Sequence, residues 1–134
     1  MAELFSVGSS VPSNGNTPIT IDISEFPTRL AAFGLSTPSG ANRVFLNATV
    51  GVRPLLLNPV VVFQVIRDNS VVVATIRQQL LLAANEVQNV SFNIVDNNAP
   101  LGSHGYALTA ELEGMLSDAT IVGPIIFSGA SYPL

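Results

Sequence analysis

The chain has 134 residues, of which 48% are hydrophobic and 10% are charged, and its formal net charge is −4. An average soluble domain carries about 25% charged residues, so the exterior of this chain must consist largely of apolar or uncharged polar groups. Apolar surface patches on small proteins normally become contacts. The composition therefore predicts self-association.

Several classes of protein are disfavoured by the same composition. All five basic residues are arginines and none form a cluster, so nucleic-acid binding lacks its electrostatic term. The absence of cysteine excludes disulfides and thiolate metal sites. We expect no membrane span, since the best candidate, 44–66, is interrupted by Arg53, Pro54 and Pro59. The start, Met1-Ala2-Glu3, is acidic, so we expect a location reached without a classical signal peptide.

The N-terminal segment alternates in polarity and is followed by a flexible linker. Phe5, Val7 and Val11 fall on one side of an extended strand, and Pro12 ends it. The Ser/Asn/Gly-rich residues 13–17 are typical of a hinge. Two interpretations stay open: the strip folds back onto its own sheet or remains disordered, or it adds as a donor strand to another copy.

For the second interpretation, residues 3–11 are the donor strand and residues 12–18 are the hinge. The residues that we expect to contact the neighbour are Leu4, Phe5, Val7 and Val11. The hinge residues are Pro12, Asn14, Gly15 and Pro18.

The remainder of the chain consists of strand-like segments separated by Gly, Pro, Asn and Asp. The predicted strands are 19–23, 43–52, 60–67, 71–77, 87–95, 104–113 and 119–127, with a bulge or an edge position at Pro124. Asp68-Asn69-Ser70 predicts a hairpin turn. The fold class is therefore all-β, a jelly-roll or β-sandwich of about 8 antiparallel strands with an N-terminal extension. Residues 1–18 form the connector and residues 19–134 the jelly-roll domain.

The sequence gives only weak evidence for a catalytic site. The only histidine, His104, lies near Asp96 in sequence, but the adjacent Ser103 points to the opposite face of a strand, so we expect a structural histidine. Glu111 and Glu113 share a strand face about 7 Å apart, a spacing that fits a glycosidase pair, yet no aromatic residue for sugar stacking lies beside them.

Two further polar features have structural interpretations. Asp96-Asn97-Asn98 lacks the additional acids of a calcium loop and predicts a turn. Arg67 and Arg77 flank the hairpin; they pair with Asp68 or Glu86, cross an interface, or guard a strand edge. We expect no enzyme activity, no cofactor and no metal.

A family resemblance comes from the hairpin. Residues 62–70, VFQVIRDNS, followed by Ile76-Arg77-Gln78-Gln79, resemble a strand-Arg-Asp-turn-strand hairpin of leaderless exosporium proteins of Bacillus-type endospores and of endospore appendage fibre subunits. The strands at 43–50 and 105–110 are similar in character and order, so the likeness covers roughly residues 40–130. The better-known thick appendages resemble Cys-rich, disulfide-linked polymers. This chain has no cysteine, so we expect its polymer to be held by strand addition and apolar packing alone.

The resemblance implies a jelly-roll subunit whose N-terminal connector is inserted into the next subunit of a fibre. It further implies a location on the spore surface, in the exosporium, with copies of itself and other exosporium or fibre-tip proteins as partners. The alternative function is a closed, trimeric jelly-roll adhesin or ligand-binding head.

Overall fold

The computed structural model describes residues 5–17, 19–38, 40–81, 86–114 and 116–134, which form two antiparallel sheets packed face to face. In chain order the strands are β1 (Ser6–Ser13), β2 (Ile21–Asp22), β3 (Thr28–Thr37), β4 (Asn42–Leu56), β5 (Val60–Arg67), β6 (Val71–Gln79), β7 (Gln88–Asn97), β8 (Gly102–Leu112) and β9 (Asp118–Pro133).

The strand order is that of a jelly roll. One sheet has the order β1-β9-β4-β7, with β2 also paired to β9, and the other has the order β3-β8-β5-β6. From β2 onward the chain crosses between the sheets at every connection except the β5–β6 hairpin, which gives the two interleaved Greek keys of this architecture. The predicted all-β sandwich is confirmed.

The core forms because the apolar residues of the long strands alternate with polar ones. On β4, Val44, Leu46 and Val50 are fully buried between the sheets. On β8 the buried positions Tyr106 and Leu108 face them from the other sheet. The two sheets therefore bury their β-branched and aromatic residues against each other, as the alternation predicts.

The predicted hairpin is confirmed. β5 and β6 pair from Val60↔Gln79 to Arg67↔Val71. Asp68 and Asn69 adopt positive φ angles of 53° and 62°, a conformation that Asp and Asn tolerate better than most residues.

The predicted bulge at Pro124 is also confirmed. β9 is an interior strand, and its register with β4 shifts between Ile121 and Ile125. The bulge brings the Gly123 carbonyl against Gly51, where a Cβ would clash. Beyond the bulge, β2 pairs with β9 through Ile21 and Asp22, and the flanking Ile19 and Ile23 N–H groups donate to the Val122 and Ala119 carbonyls, so the predicted 19–23 segment lies along β9.

One strand, β3, was not expected. Its residues Ala31, Ala32 and Gly34 are weak strand formers, so local propensity gives little signal. Pairing with β8, in register from Ala31↔Leu108 onward, compensates for that weakness. The described residues contain no helix that is long and apolar enough to cross a membrane.

Candidate functional site

The N-terminal strand β1 lies at the edge of its own five-stranded sheet. It pairs with β9 from Ser6↔Ser131 to Ser10↔Phe127, and the Phe5 N–H donates to the Ser131 carbonyl at 2.8 Å. The ladder shifts register after Ser10 and resumes only at Ser13. The strip thus lies on its own sheet in the single chain, and docking on a neighbour stays a prediction.

The inner face of β1 carries only small residues. A Cβ at Gly8 would lie 2.6 Å from the Gly34 carbonyl oxygen and would collide with the Phe33 ring. The ring of Phe33 is also close to Gly129, the direct partner of Gly8 on β9. Two opposed glycines therefore form the surface on which Phe33 closes this side of the sandwich.

The outer face of β1 is apolar and exposed. Val7 and Val11 are 64% and 42% exposed. The strand register places Val7 beside Ala130, Ala130 beside Phe45, and Phe45 beside Val95. We call these four residues the outer apolar row, since they cross all four long strands of the sheet on its solvent side.

A depression of about 980 Å³ lies along the part of this row formed by Val7, Ala130 and Phe45. Phe45 and Tyr132 line it in an edge-to-face arrangement, with their ring centroids 5.5 Å apart. Arg43, Asn47 and Ser9 supply polar groups at its border. The depression combines an aromatic floor with hydrogen-bonding side chains, which suits contact with a protein or a small polar ligand.

Residues 14–17, which follow β1, are exposed. The Gly15 N–H donates to the Ser13 hydroxyl oxygen at 3.1 Å, and Gly15 has a φ of +86°. Of the predicted hinge residues, Asn14 and Gly15 lie in this segment and are exposed. Pro12 is exposed but lies within β1, which continues to Ser13, so the expectation that Pro12 ends the strand was wrong: the ladder only shifts register there and resumes at Ser13. Leu4 and Pro18 lie outside the described residues.

Exposed apolar side chains also gather at the end of the sandwich formed by the β2–β3, β4–β5 and β8–β9 connections, here called the loop end. Phe26, Leu56 and Leu116 are 69%, 52% and 79% exposed. Leu57 is 52% exposed and has a φ of 58°, which is strained for a bulky residue. These features are typical of a contact surface rather than of a solvated loop.

A buried polar group ties the two sheets together beside the hairpin. The Arg67 guanidinium Nη1 donates to Asp96 Oδ2 at 2.6 Å, and the Tyr106 hydroxyl donates to the same oxygen at 2.8 Å. Arg67 Nε is buried without a hydrogen-bond partner among the described residues. The predicted partner Asp68 lies 4.0 Å from Arg67 Nε, whereas Asp96, which was not among the predicted partners, lies 2.6 Å from Nη1 and is the principal one.

The charges of this group shift its pKa values. Burial alone would lower the pKa of Arg67, but the hydrogen bond and charge of Asp96 outweigh it and raise that pKa. Burial, followed by the hydrogen bond and charge of Asp96, raises the pKa of the Tyr106 hydroxyl. The raised pKa values favour the protonated forms of both groups, in which each donates a hydrogen bond to Asp96.

His104 is buried and hydrogen-bonded, in agreement with a structural histidine. Its Nδ1 lies 2.7 Å from Asp68 Oδ2, and its Nε2 contacts the carbonyl of Pro100. A histidine paired with an aspartate suits a catalytic base, but here the second nitrogen faces a carbonyl. Ser103 belongs to no such pair.

In each of the two other candidate sites, the Glu111/Glu113 pair and the Asp96-Asn97-Asn98 segment, a carboxylate is paired with a side chain elsewhere in the fold. Glu113 accepts a hydrogen bond from Arg77 at 3.3 Å, an exposed ion pair across the sheet. The Asp96 carboxylate is occupied by Arg67 and Tyr106. In the part of the chain that the structure describes, no group of three His, Asp or Glu residues could hold a metal ion.

Sequence reasoning did not single out Gly8, Phe33 or Gly129. A usable signal was present: the small residues Ser6, Gly8 and Ser10 alternate with the apolar ones, which indicates a strand whose inner face fits under a bulky group. The identity of that group depends on the tertiary fold.

No protein-family model matches the chain, and no curated protein matches it by sequence. Among solved structures, it is similar to a chain of infectious bursal disease virus, Gx strain (9% identity, 99% of this chain and 36% of that one, TM-score 0.48). It is also similar to the arabinose-bound MgGH51 α-L-arabinofuranosidase (13% identity, 95% of this chain and 23% of that one, TM-score 0.44). A third similar structure is the enzymatically active domain of bacteriophage CBA120 tailspike protein 4 (12% identity, 90% of this chain and 18% of that one, TM-score 0.38).

This chain thus spans between 18% and 36% of the length of those three chains. At these identities the likeness concerns the fold alone.

Proposed function

We propose that this chain is a structural subunit that assembles into a fibre on the endospore surface, with its N-terminal strand joining one subunit to the next. The observation that carries the proposal is β1 itself. It is an edge strand attached to the fold through β9, it is followed by the exposed residues 14–17, and it presents Val7 and Val11 to solvent. An edge strand of this kind is a ready template for pairing with another chain.

Two surfaces support assembly as the role. The outer apolar row and the loop end both expose large hydrophobic side chains, and with so few charges the exterior does little to keep copies apart. Because the strand and the surface that receives it are different parts of one chain, the contact is heterologous. It propagates into a filament when its geometry does not close. In this role the subunit performs no chemistry.

Electron microscopy of the purified chain tests the proposal. We expect filaments of regularly spaced subunits from the full chain, and dispersed folded particles from a chain lacking residues 1–13. Circular dichroism of the truncated chain is the control for folding, and we expect a spectrum that is still rich in β-structure. Filaments of unchanged form from the truncated chain would contradict the role of the strand.

A second candidate is a closed oligomer that binds a ligand. The depression lined by Phe45, Tyr132, Arg43 and Asn47 favours it, since aromatic rings bordered by polar side chains suit a small polar ligand. Light scattering separates the two candidates: a closed oligomer has one mass at all concentrations, whereas a fibre grows with concentration.

A further inference from the structure

We propose that the site which receives the N-terminal strand is the slot that β1 fills in its own chain, so that subunits join by exchanging β1. This inference rests on the proposed function and names its acceptor. The slot consists of the edge of β9 from Phe127 to Ser131, the ring of Phe33, and the backbone of Gly34 and Ser36.

The slot is closely fitted to β1. The Ser36 N–H donates to the Ser6 hydroxyl oxygen at 3.2 Å. Gly8 fits where a Cβ would collide with Phe33 and with the Gly34 carbonyl. Every copy of the chain carries the same slot and the same strand, so β1 of a neighbour restores these contacts in full.

An empty slot would be costly. Departure of β1 would leave the backbone groups of β9 without their ladder partners and would uncover one side of Phe33, which is now 9% exposed. An extended strand that carries a side chain at the position of Gly8 does not fit against Phe33. The β1 of a second copy is therefore the occupant that the slot selects.

The connection between β1 and β2 permits the exchange. β2 remains on β9 through Ile21↔Ile121, on the far side of the bulge from β1. Residues 14–20 separate the two strands and reach about 24 Å when extended at roughly 3.4 Å per residue. Residues 14–17 are exposed, so extending them uncovers little core.

Single-cysteine variants of the full chain test the exchange, since the natural chain has no cysteine. Val7 and Ala130 are direct partners across β1 and β9. Direct partners in antiparallel strands have Cα atoms about 4.5–5.5 Å apart, within the range of a disulfide. Val7→Cys and Ala130→Cys chains are mixed, allowed to assemble, oxidised and run on a non-reducing gel. The control mixture pairs Val7→Cys with Val95→Cys, which lies on the same outer row but on β7.

Exchange predicts that about half of the protein in an equimolar mixture of Val7→Cys and Ala130→Cys chains becomes a disulfide-linked heterodimer, because half of the donor strands enter a chain of their own kind, and that this yield is at least ten times that of the control mixture. Equal yields in the two mixtures would overturn the exchange, because packing of outer faces links position 95 as readily as position 130. Absence of any heterodimer would also overturn it, since β1 then stays in its own chain.

These results are separable from the proposed function. Heterodimers without filaments in the microscope would support exchange and contradict the fibre. Filaments without heterodimers would support the fibre and place its contact elsewhere.

Discussion

Gly8 of β1 and Gly129 of β9 stand directly opposite each other, and the ring of Phe33 packs against both. The pairing joins the N-terminal strand to the last strand, and the ring joins that pair to the other sheet. Phe33 also packs on Phe127 and Tyr106, with ring centroids 4.8 Å and 6.0 Å away. The N-terminal strand is therefore held by shape as well as by its hydrogen bonds.

A methyl group at position 8 tests this fit. Gly8→Ala should detach β1, because its Cβ would collide with Phe33, and overpacking of this kind costs about 1–3 kcal/mol. Hydrogen exchange of the β1 amides measures the detachment, and we expect loss of protection together with loss of filaments. The control is Ser9→Ala on the exposed side of the same strand. Equal protection in the two variants would mean that the contact with Phe33 does not hold β1.

The ion pair between Arg67 and Asp96 should matter far more than the one between Arg77 and Glu113. The side chains of the first pair are 13% and 10% exposed, and those of the second are 63% and 53% exposed. Asp96→Ala leaves a buried guanidinium without its partner, which costs about 3–5 kcal/mol.

Glu113→Ala removes an exposed partner and should cost less than about 1 kcal/mol. Urea unfolding of both variants gives the comparison. Similar losses in the two would show that Asp96 does not tie the sheets together.

Acid should weaken the fold partly through Asp68. Burial acts to raise the pKa of this carboxyl, but hydrogen bonds from His104 and the Gly105 N–H, with the nearby charges, outweigh it and bring the pKa below its ordinary value of 3.8. A lowered folded-state pKa means stability that is present above the ordinary value and lost as the pH falls through the folded one.

The free energy of unfolding, measured between pH 6 and pH 2, should therefore fall less steeply below pH 4 for Asp68→Asn than for the natural chain. Glu25→Gln, which removes an exposed carboxyl in the β2–β3 connection, serves as the control. An acid limb of unchanged slope in Asp68→Asn would contradict the role of this carboxylate.

Leu57 should lower the stability of the fold through its backbone strain while its exposed side chain contributes to an assembly contact. Its φ of 58° is strained, and such strain costs on the order of 1–3 kcal/mol. Leu57→Gly should remove that strain and raise the melting temperature, whereas Leu56→Gly, at an ordinary φ, should lower it. If the loop end is an assembly contact, Leu57→Gly chains should assemble more slowly in light-scattering measurements. An unchanged melting temperature would show that the position carries no strain.

Much of the fold could be predicted because it follows from local chemistry. The alternation on β4 fixes its buried face, and Asp68-Asn69 supplies the positive φ angles of the hairpin. β3 was missed because Ala31 and Gly34 have low strand propensity, and its formation depends on β8, more than sixty residues later in the chain.

The candidate site was predicted only in part. The alternation of residues 5–11 predicts a strand, but the small face meets the core and the apolar face meets solvent. Hydrophobicity alone suggests the opposite orientation, since it contains no information about the space that Phe33 occupies. The partner of β1 is likewise a long-range property, as is the pairing of Arg67 with Asp96.

The most direct test of the account locks β1 in its own chain. A Val7→Cys/Ala130→Cys chain, oxidised at high dilution, forms the link within each molecule, and a reductant then releases it. Light scattering should stay at the monomer value while the chain is oxidised and rise to that of filaments after reduction. Filament growth by the oxidised chain, at the rate of the natural one, would contradict assembly through a released N-terminal strand.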